Sequence, residues 1–284
     1  MFELRHWVSK LYNRRALFLL LAAFIFCWNA SILWLSEQDL GLQIFQLLLW
    51  LGIAISLEDK LANLWPKPSR FSFLAGAILI ALLLTLSPAL ISFQVGYIKY
   101  LLLPVSICAL ALLSRPLQQW QLFAAPLLIS LLLPIGGAFA VLSSPIQNRL
   151  TALLTWAFLY GIGFQAGLSG KEISIGSAGV IVQTNCNGNE QLIFSISMVI
   201  IFQLIFPLKQ RGHILAAFGA AIVSAYAINT VRIALLAYFT TWEDRSGMAA
   251  FDFFHGHGGL IFSLIAATIA GWIYYRLLDQ ELAA

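Results

Sequence analysis

Long apolar runs separated by short polar segments make up most of the chain, and they predict membrane-spanning helices. A helix needs about 20 mainly apolar residues to cross the hydrocarbon core of a bilayer. Eight runs have this character, near residues 16–36, 40–57, 71–92, 98–114, 117–135, 191–207, 213–236 and 258–277. We therefore predict an all-α polytopic membrane protein with about eight transmembrane helices, forming a single integral membrane domain over residues 1–284.

A further apolar segment, 144–166, begins with polar residues that include Gln147, Asn148 and Arg149. Hydropathy leaves two readings open, a crossing helix or an interfacial or re-entrant helix. With an interfacial helix and both termini cytoplasmic, eleven of the 16 lysines and arginines fall on the cytoplasmic side. This agrees with the positive-inside rule. A crossing helix gives the same count, but the short basic loop at Lys209 and Arg211 favours the interfacial reading.

The stretch 167–186 differs from its surroundings. Two β-branched runs, 173–175 and 180–182, flank a Gly-Ser-Ala-Gly turn and predict a small β-hairpin. An open hairpin cannot lie among lipid tails, because its edge amides would lack partners. We therefore expect it at the extracytoplasmic interface. The predicted organisation is five amino-terminal spans in 1–135, the interfacial helix and hairpin in 136–190, and a three-helix unit in 191–277.

Composition agrees with this class of protein. The chain is 61% hydrophobic and only 10% charged, whereas soluble domains are about one quarter charged. Its net charge of +4 comes from basic residues scattered over short loops. We therefore expect contacts with membrane lipids and no nucleic-acid partner. Cys27 and Cys108 lie within apolar runs, so no disulfide framework is predicted.

Three residues near the last three spans could carry chemistry. Cys186 precedes the first of these spans, where the positive end of a helix dipole would lower its pKa. Arg232 lies late in the next span, and Asn229 lies three residues earlier on the same face. His255 precedes the last span. The order of the spans therefore places Cys186, Arg232 and His255 on one face of the membrane, and a thiol near an imidazole is typical of nucleophilic catalysis.

Two neighbouring residues leave alternatives open. His257 follows His255 at a spacing that could also suit a metal, but no further ligand has a recognisable spacing. Glu190 lies one helical turn after Cys186. It could pair with Arg232 or remain a solvated acid.

At these residues the chain resembles the exosortase/archaeosortase family of membrane transpeptidases over roughly residues 130–277. The family's Cys-Ser-Gly motif matches a Cys-Asn-Gly sequence, and its Asn-x-x-Arg motif is complete. Its third motif, an aromatic residue and His followed by Gly and a second aromatic residue, fits His255 and not His257. The sequence departs from the family at Asn187, where Ser is usual, as in some cyanobacterial exosortases. The positions that correspond to the three motifs, including the departure at Asn187, are Cys186, Asn187, Gly188, Asn229, Arg232, Phe254, His255, Gly259 and Phe262.

The resemblance implies a cysteine peptidase and transpeptidase without a cofactor or metal. Cys186 would be the nucleophile that forms a thioester, His255 the general base and acid, and Arg232 the oxyanion or substrate-positioning group. Asn229, Asn187, Gly188, Glu190 and Gly259 would support them.

Substrates would be membrane-anchored proteins with a carboxy-terminal sorting signal. This signal consists of a Pro-Glu-Pro-like motif (PEP-CTERM), an apolar helix and a basic cluster. The acceptor would be a surface glycan or lipid, and the enzyme would lie in the bacterial inner membrane. The alternatives are a secondary transporter of a small anionic substrate, a non-catalytic assembly protein and a simple intramembrane thiol protease.

Overall fold

A computed structural model describes residues 2–37, 40–58, 68–92, 96–114, 117–242, 244–256 and 258–283. Within these residues the chain forms nine α-helices and one small sheet. The helices are α1 (Phe2–Glu37), α2 (Leu40–Glu58), α3 (Arg70–Ser92), α4 (Leu102–Ser114), α5 (Ala124–Gly161), α6 (Asn189–Ile205), α7 (Arg211–Phe239), α8 (Arg245–His255) and α9 (Gly259–Ala283). The strands are β1 (Ala166–Ser169), β2 (Glu172–Ile175) and β3 (Ala178–Ile181).

Six of these helices are long and apolar enough to cross a membrane: α1, α2, α3, α5, α7 and α9. This confirms a multi-pass membrane protein. Two shorter apolar helices, Ile98–Ser114 and Asn189–Ile205, coincide with the remaining predicted spans. The count of eight crossings therefore stays a prediction, as do the orientation of the chain and its division into three parts.

The separation of 117–135 from 144–166 is wrong. Residues 124–161 form the single helix α5, whose 38 residues rise about 57 Å at the α-helical repeat. The polar residues that suggested a new element at 144 lie in the middle of this helix. Prolines 134 and 145 lie within it without ending it, as membrane helices tolerate.

Two elements were missed by the sequence analysis. The hairpin has its strands at β2 and β3, but β1 adds a third, antiparallel strand, so that the sheet order is β1-β2-β3. The second is α8, between the last two spans. Asp244 caps α8 by accepting hydrogen bonds from the amides of Ser246 and Gly247, each 3.1 Å long.

The helices divide into two compact units, residues 1–134 and 135–284. In the first unit, polar contacts join α1 to α3 and α4. Trp28 Nε1 donates to Ser87 Oγ at 2.8 Å, and Asn29 Nδ2 donates to Ser106 Oγ at 2.9 Å. These bonds satisfy buried donors where water is excluded.

The second unit is built on close packing of α6, α7 and α9. Small residues allow the backbones of α7 and α9 to approach each other, as is common in membrane bundles. Ser224 Oγ on α7 donates to the Ala266 carbonyl of α9 at 3.2 Å. Buried small residues of the two helices include Ala217 and Ala221 of α7 and Ala270 of α9, which share one cluster.

The sheet packs on the carboxy-terminal half of α7. Its inner face contributes Ile173 and Val182, whose side chains are 0% and 1% exposed. They pack against Ile233 and Leu236 of α7 in a cluster that also contains Cys186. The sheet therefore positions the segment that carries the thiol.

Candidate active site

Cys186 ends a short 3₁₀ turn, Thr184–Cys186, that connects the sheet to α6. The residue is 5% exposed. Its Sγ lies 3.2 Å from Nδ1 of His255, although the two residues are 69 positions apart in sequence. In the tautomer with hydrogen on Nε2, Nδ1 accepts a hydrogen bond from the thiol. The structure thus brings two of the predicted site residues into direct contact.

His255 is the last residue of α8, and its ring is exposed. Phe251 stacks on this ring from the preceding turn, with a centroid distance of 5.4 Å and an interplanar angle of 15°. An i, i+4 spacing places both rings on the same face of the helix. Phe251 therefore restricts the ring of His255 on one side while the other side stays accessible.

One turn of α7 contacts both segments of the pair. Asn229 Nδ2 donates to the carbonyl of Cys186 at 3.1 Å. Arg232 donates from Nε to the carbonyl of Phe254 at 3.3 Å, and from Nη2 to the carbonyl of His255 at 3.0 Å. Asn229 is 0% exposed and Arg232 is 2% exposed. We call these two side chains the α7 clamp, because they fix the backbone of the thiol segment and of the imidazole segment.

Two glycines let the backbone approach the α7 clamp. Gly188 has a φ of +85°, and a Cβ atom there would lie 2.9 Å from Asn229 Nδ2. A Cβ atom at Gly259 would lie 2.5 Å from Arg232 Nη2. A side chain at either position would displace the group that it meets, so the role of both glycines is steric.

Asn187 anchors the thiol segment to α5. Its Nδ2 donates to Ser144 Oγ at 3.0 Å and to Asn148 Oδ1 at 2.8 Å, while its Oδ1 accepts from the amide of Asn189 at 3.1 Å. Thr151 Oγ1 donates to the carbonyl of Asn187 at 2.8 Å. The hydroxyl of a serine at this position is too short to make all of these contacts. The polar residues of α5 therefore have a structural partner in Asn187.

Burial raises the pKa of the Cys186 thiol, and the positive charge of Arg232 acts in the opposite direction. The lowered pKa expected from a helix dipole is therefore wrong. The thiol precedes the first residue of α6, Asn189, by three positions and lies in an apolar cluster. Burial therefore disfavours the thiolate, which is the reactive form of a cysteine, and a nearby base would favour its formation.

A cavity of about 320 Å³ opens at the Cys186–His255 pair. Residues of the sheet, α7 and α8 line this cavity, and its wall is mainly apolar. Ligand pockets commonly have this size and character. The lining residues are Gly179, Val180, Ile181, Val182, Gln183, Cys186, Ile233, Leu236, Phe251 and His255.

Two further residues from the sequence analysis, His257 and Glu190, stay predictions. His257 lies outside the described residues, so the choice between it and His255 rests on the contact of His255 with the thiol. Glu190 lies in the first turn of α6, and its pairing with Arg232 remains an expectation. The described residues contain no cluster of three potential metal ligands.

Three contributors to the candidate site were not predicted from the sequence. Phe251 could have been noticed by its spacing from His255, but α8 was not predicted. Asn148 was noticed only as an interruption of an apolar run. Strand β3 carried no chemical signal, because its residues that line the cavity are glycine, valine and isoleucine.

A protein-family model described as transmembrane exosortase (Exosortase_EpsH) matches residues 7–272 of the 284. Neither the curated proteins nor the solved structures contain a match. The family match extends through the amino-terminal spans, in which the sequence alone showed no recognisable motif.

Replacement of Asn187 by alanine should destabilise the protein, because it leaves the groups on Ser144, Asn148 and Asn189 without this partner. The expected cost is about 1–3 kcal/mol. Thermal unfolding in detergent would measure it as a lower Tm. Lys171→Ala, at an exposed position, is the control. Equal Tm values for both variants would contradict the anchoring role.

The Cys186 thiol should alkylate slowly at neutral pH, with a rate that rises at alkaline pH, because burial disfavours the thiolate. The measurement is the pH profile of iodoacetamide labelling in protein with Cys27→Ala and Cys108→Ala. Arg232→Gln should shift this profile to higher pH, since it removes the stabilising charge. A profile that is already flat from acidic to neutral pH would show a preformed thiolate instead.

Proposed function

Because the chain belongs to the transmembrane exosortase family, we propose that it is a membrane cysteine transpeptidase acting on proteins with a carboxy-terminal sorting signal. The observation that carries this proposal is the 3.2 Å contact between Cys186 Sγ and His255 Nδ1 at the cavity. A nucleophile within hydrogen-bond distance of a base is the arrangement that covalent catalysis requires.

In the proposed reaction, His255 Nδ1 takes the thiol proton as Sγ of Cys186 attacks the scissile carbonyl carbon. The C–N bond then breaks, the leaving amine receives the proton from Nδ1, and a thioester to Cys186 remains. An acceptor nucleophile attacks this thioester and restores the thiol. The raised pKa of Cys186 fits a mechanism in which the base removes the proton during the attack.

Arg232 acts in this mechanism first as a positioning residue. Its two hydrogen bonds to the carbonyls of Phe254 and His255 set the end of α8. Its charge also favours the thiolate form of Cys186. The family resemblance implies two possible roles for Arg232. Stabilisation of the oxyanion requires another N–H donor of Arg232 to reach the substrate. Positioning of the end of α8 needs only the two hydrogen bonds to Phe254 and His255. Asn229 is the corresponding positioning residue for Cys186.

The proposed substrates are membrane-anchored proteins whose signal contains a Pro-Glu-Pro-like motif, an apolar helix and a basic cluster. The acceptor would be a surface glycan or lipid. We place the enzyme in the bacterial inner membrane with both termini cytoplasmic and the site on the extracytoplasmic side. The Lys209 and Arg211 loop, at the opposite end of α7 from Arg232, supports this orientation. No observation on the described residues favours the transporter alternative.

Cys186→Ala and His255→Ala should each lower processing of a co-expressed signal-bearing protein by more than about 1,000-fold, as loss of a nucleophile or its base does in cysteine- and serine-type sites. Immunoblotting of the precursor and the product would measure this. Cys108→Ala is the matched control and should retain wild-type processing. His257→Ala should also remain active. Full activity of Cys186→Ala would rule out the thiol mechanism, and an inactive His257→Ala beside an active His255→Ala would reverse the histidine assignment.

Transfer and hydrolysis differ in the product. Mass spectrometry of the new carboxy terminus should show an added acceptor group if the enzyme is a transpeptidase. A free carboxylate would instead identify a thiol protease with the same acylation step.

A further inference from the structure

Strand β3 has one paired edge and one open edge. It pairs with β2 on one side, and the described residues place no strand on its other side. The edge of a sheet presents backbone N–H and C=O groups that can pair with another chain. Protein chains that bind in this way are extended and add a further strand to the sheet.

The register identifies the backbone groups on the open edge. Val180 is opposite Ile173, and the amide of Val182 donates to the Lys171 carbonyl at 2.9 Å. In an antiparallel pair, residues alternate between those bonded to the neighbouring strand and those directed away from it. Val180 and Val182 therefore bond to β2, while Gly179 and Ile181 direct their N–H and C=O groups to the open edge.

This edge leads to the candidate nucleophile. Consecutive residues from 179 to 183 line the same cavity as Cys186 and His255. Successive side chains of a strand point to opposite faces of a sheet. A wall made of consecutive residues therefore includes the strand's edge, and not only one of its faces. Cys186 follows Ile181 by five residues, within the reach of a short bound peptide.

The two faces of the sheet fit this arrangement. The helices cover Ile173 and Val182 on the inner face, and the part of this face that lines the cavity, at Val180 and Val182, offers only apolar side chains. The side chain of Ile181, on the other face, is 52% exposed. Gly179 has no room for a side chain, because a Cβ atom would lie 2.4 Å from the Ile173 carbonyl oxygen. The open edge is thus the accessible polar surface of β3.

We propose that the open edge of β3 binds the substrate as an added β-strand. The occupant is the extended segment of the polypeptide that carries the scissile bond, and its backbone pairs with Gly179 and Ile181 so that its carbonyl reaches Cys186. This inference rests on the proposed function. It assigns recognition of the main chain to a strand, separately from the catalytic pair.

A motif with two prolines spaced two residues apart is compatible with this pairing. Proline has no N–H group, but strand pairing uses only every second residue. When the residue between the prolines pairs with the open edge, both prolines fall at positions that need no donor. The pairing residue then supplies the N–H and the C=O.

The enzyme-side test compares Ile181→Pro with Ile181→Ala in the full chain. Proline removes the outward N–H and is tolerated at such an edge position. We expect Ile181→Pro to slow substrate cleavage by about tenfold or more, the effect of one or two lost hydrogen bonds. Ile181→Ala keeps the N–H and loses only part of an exposed side chain, so its loss of cleavage should be clearly smaller than that of Ile181→Pro. Both variants should keep the wild-type rate of Cys186 alkylation.

Wild-type cleavage by Ile181→Pro would overturn the proposal, and so would an equal loss in Ile181→Ala. If Ile181→Pro changes the alkylation rate of Cys186, modified substrates are tested with the wild-type protein instead. Detergent-solubilised wild-type protein would be given synthetic substrates with a single N-methyl group at successive non-proline residues. Loss at the residue between the prolines, but not at a residue three positions from it, supports strand addition, because only every second residue pairs with the edge. A uniform effect, or none, overturns it.

The unmodified substrate separates the two proposals. Cleavage of it by the wild type, without alternation among the N-methylated substrates, overturns strand addition and leaves the transpeptidase intact. Absence of cleavage of the unmodified substrate overturns the proposed function, and strand addition with it.

Discussion

The site depends on the α7 clamp, the pair of buried side chains that holds the Cys186 turn and the end of α8 against one helix. Asn229 binds the carbonyl of Cys186, and Arg232 binds the carbonyls of Phe254 and His255. The i, i+3 spacing on a rigid helix fixes the distance between these two segments. The thiol of Cys186 and the imidazole of His255 can then lie 3.2 Å apart although they are 69 positions apart in sequence.

The remaining features of the site follow from this geometry. A guanidinium that is 2% exposed needs partners, and the carbonyls at the end of α8 supply them. Glycines 188 and 259 provide the space for close approach. The same packing buries the thiol and raises its pKa, while the charge of Arg232 limits this effect. Burial thus disfavours the thiolate of Cys186, which agrees with the proposed role of His255 as a base, and the edge of β3 lies beside this pair at the cavity.

Much of the fold could be predicted, because apolar runs identify membrane helices by length. The order of the last spans also placed Cys186, Arg232 and His255 at one end. Helix α5 was divided wrongly, since Asn148 and its neighbours interrupt hydropathy without breaking the helix. The partner of Asn148 is Asn187, distant in sequence, so periodicity could not reveal the contact. The position of β3 at the cavity was not predicted, because it depends on how the sheet packs against α7 and α8. The pKa shift depends on burial, which only the tertiary structure defines.

The most direct test of the account is detection of the acyl-enzyme. Wild-type protein turning over a signal-bearing substrate would be quenched with acid and digested, and the peptide containing Cys186 analysed by mass spectrometry. If Cys186 is the nucleophile, this peptide carries the amino-terminal part of the substrate as a thioester that hydroxylamine removes. Product formation without any adduct at Cys186, or with an adduct on another residue, would contradict it.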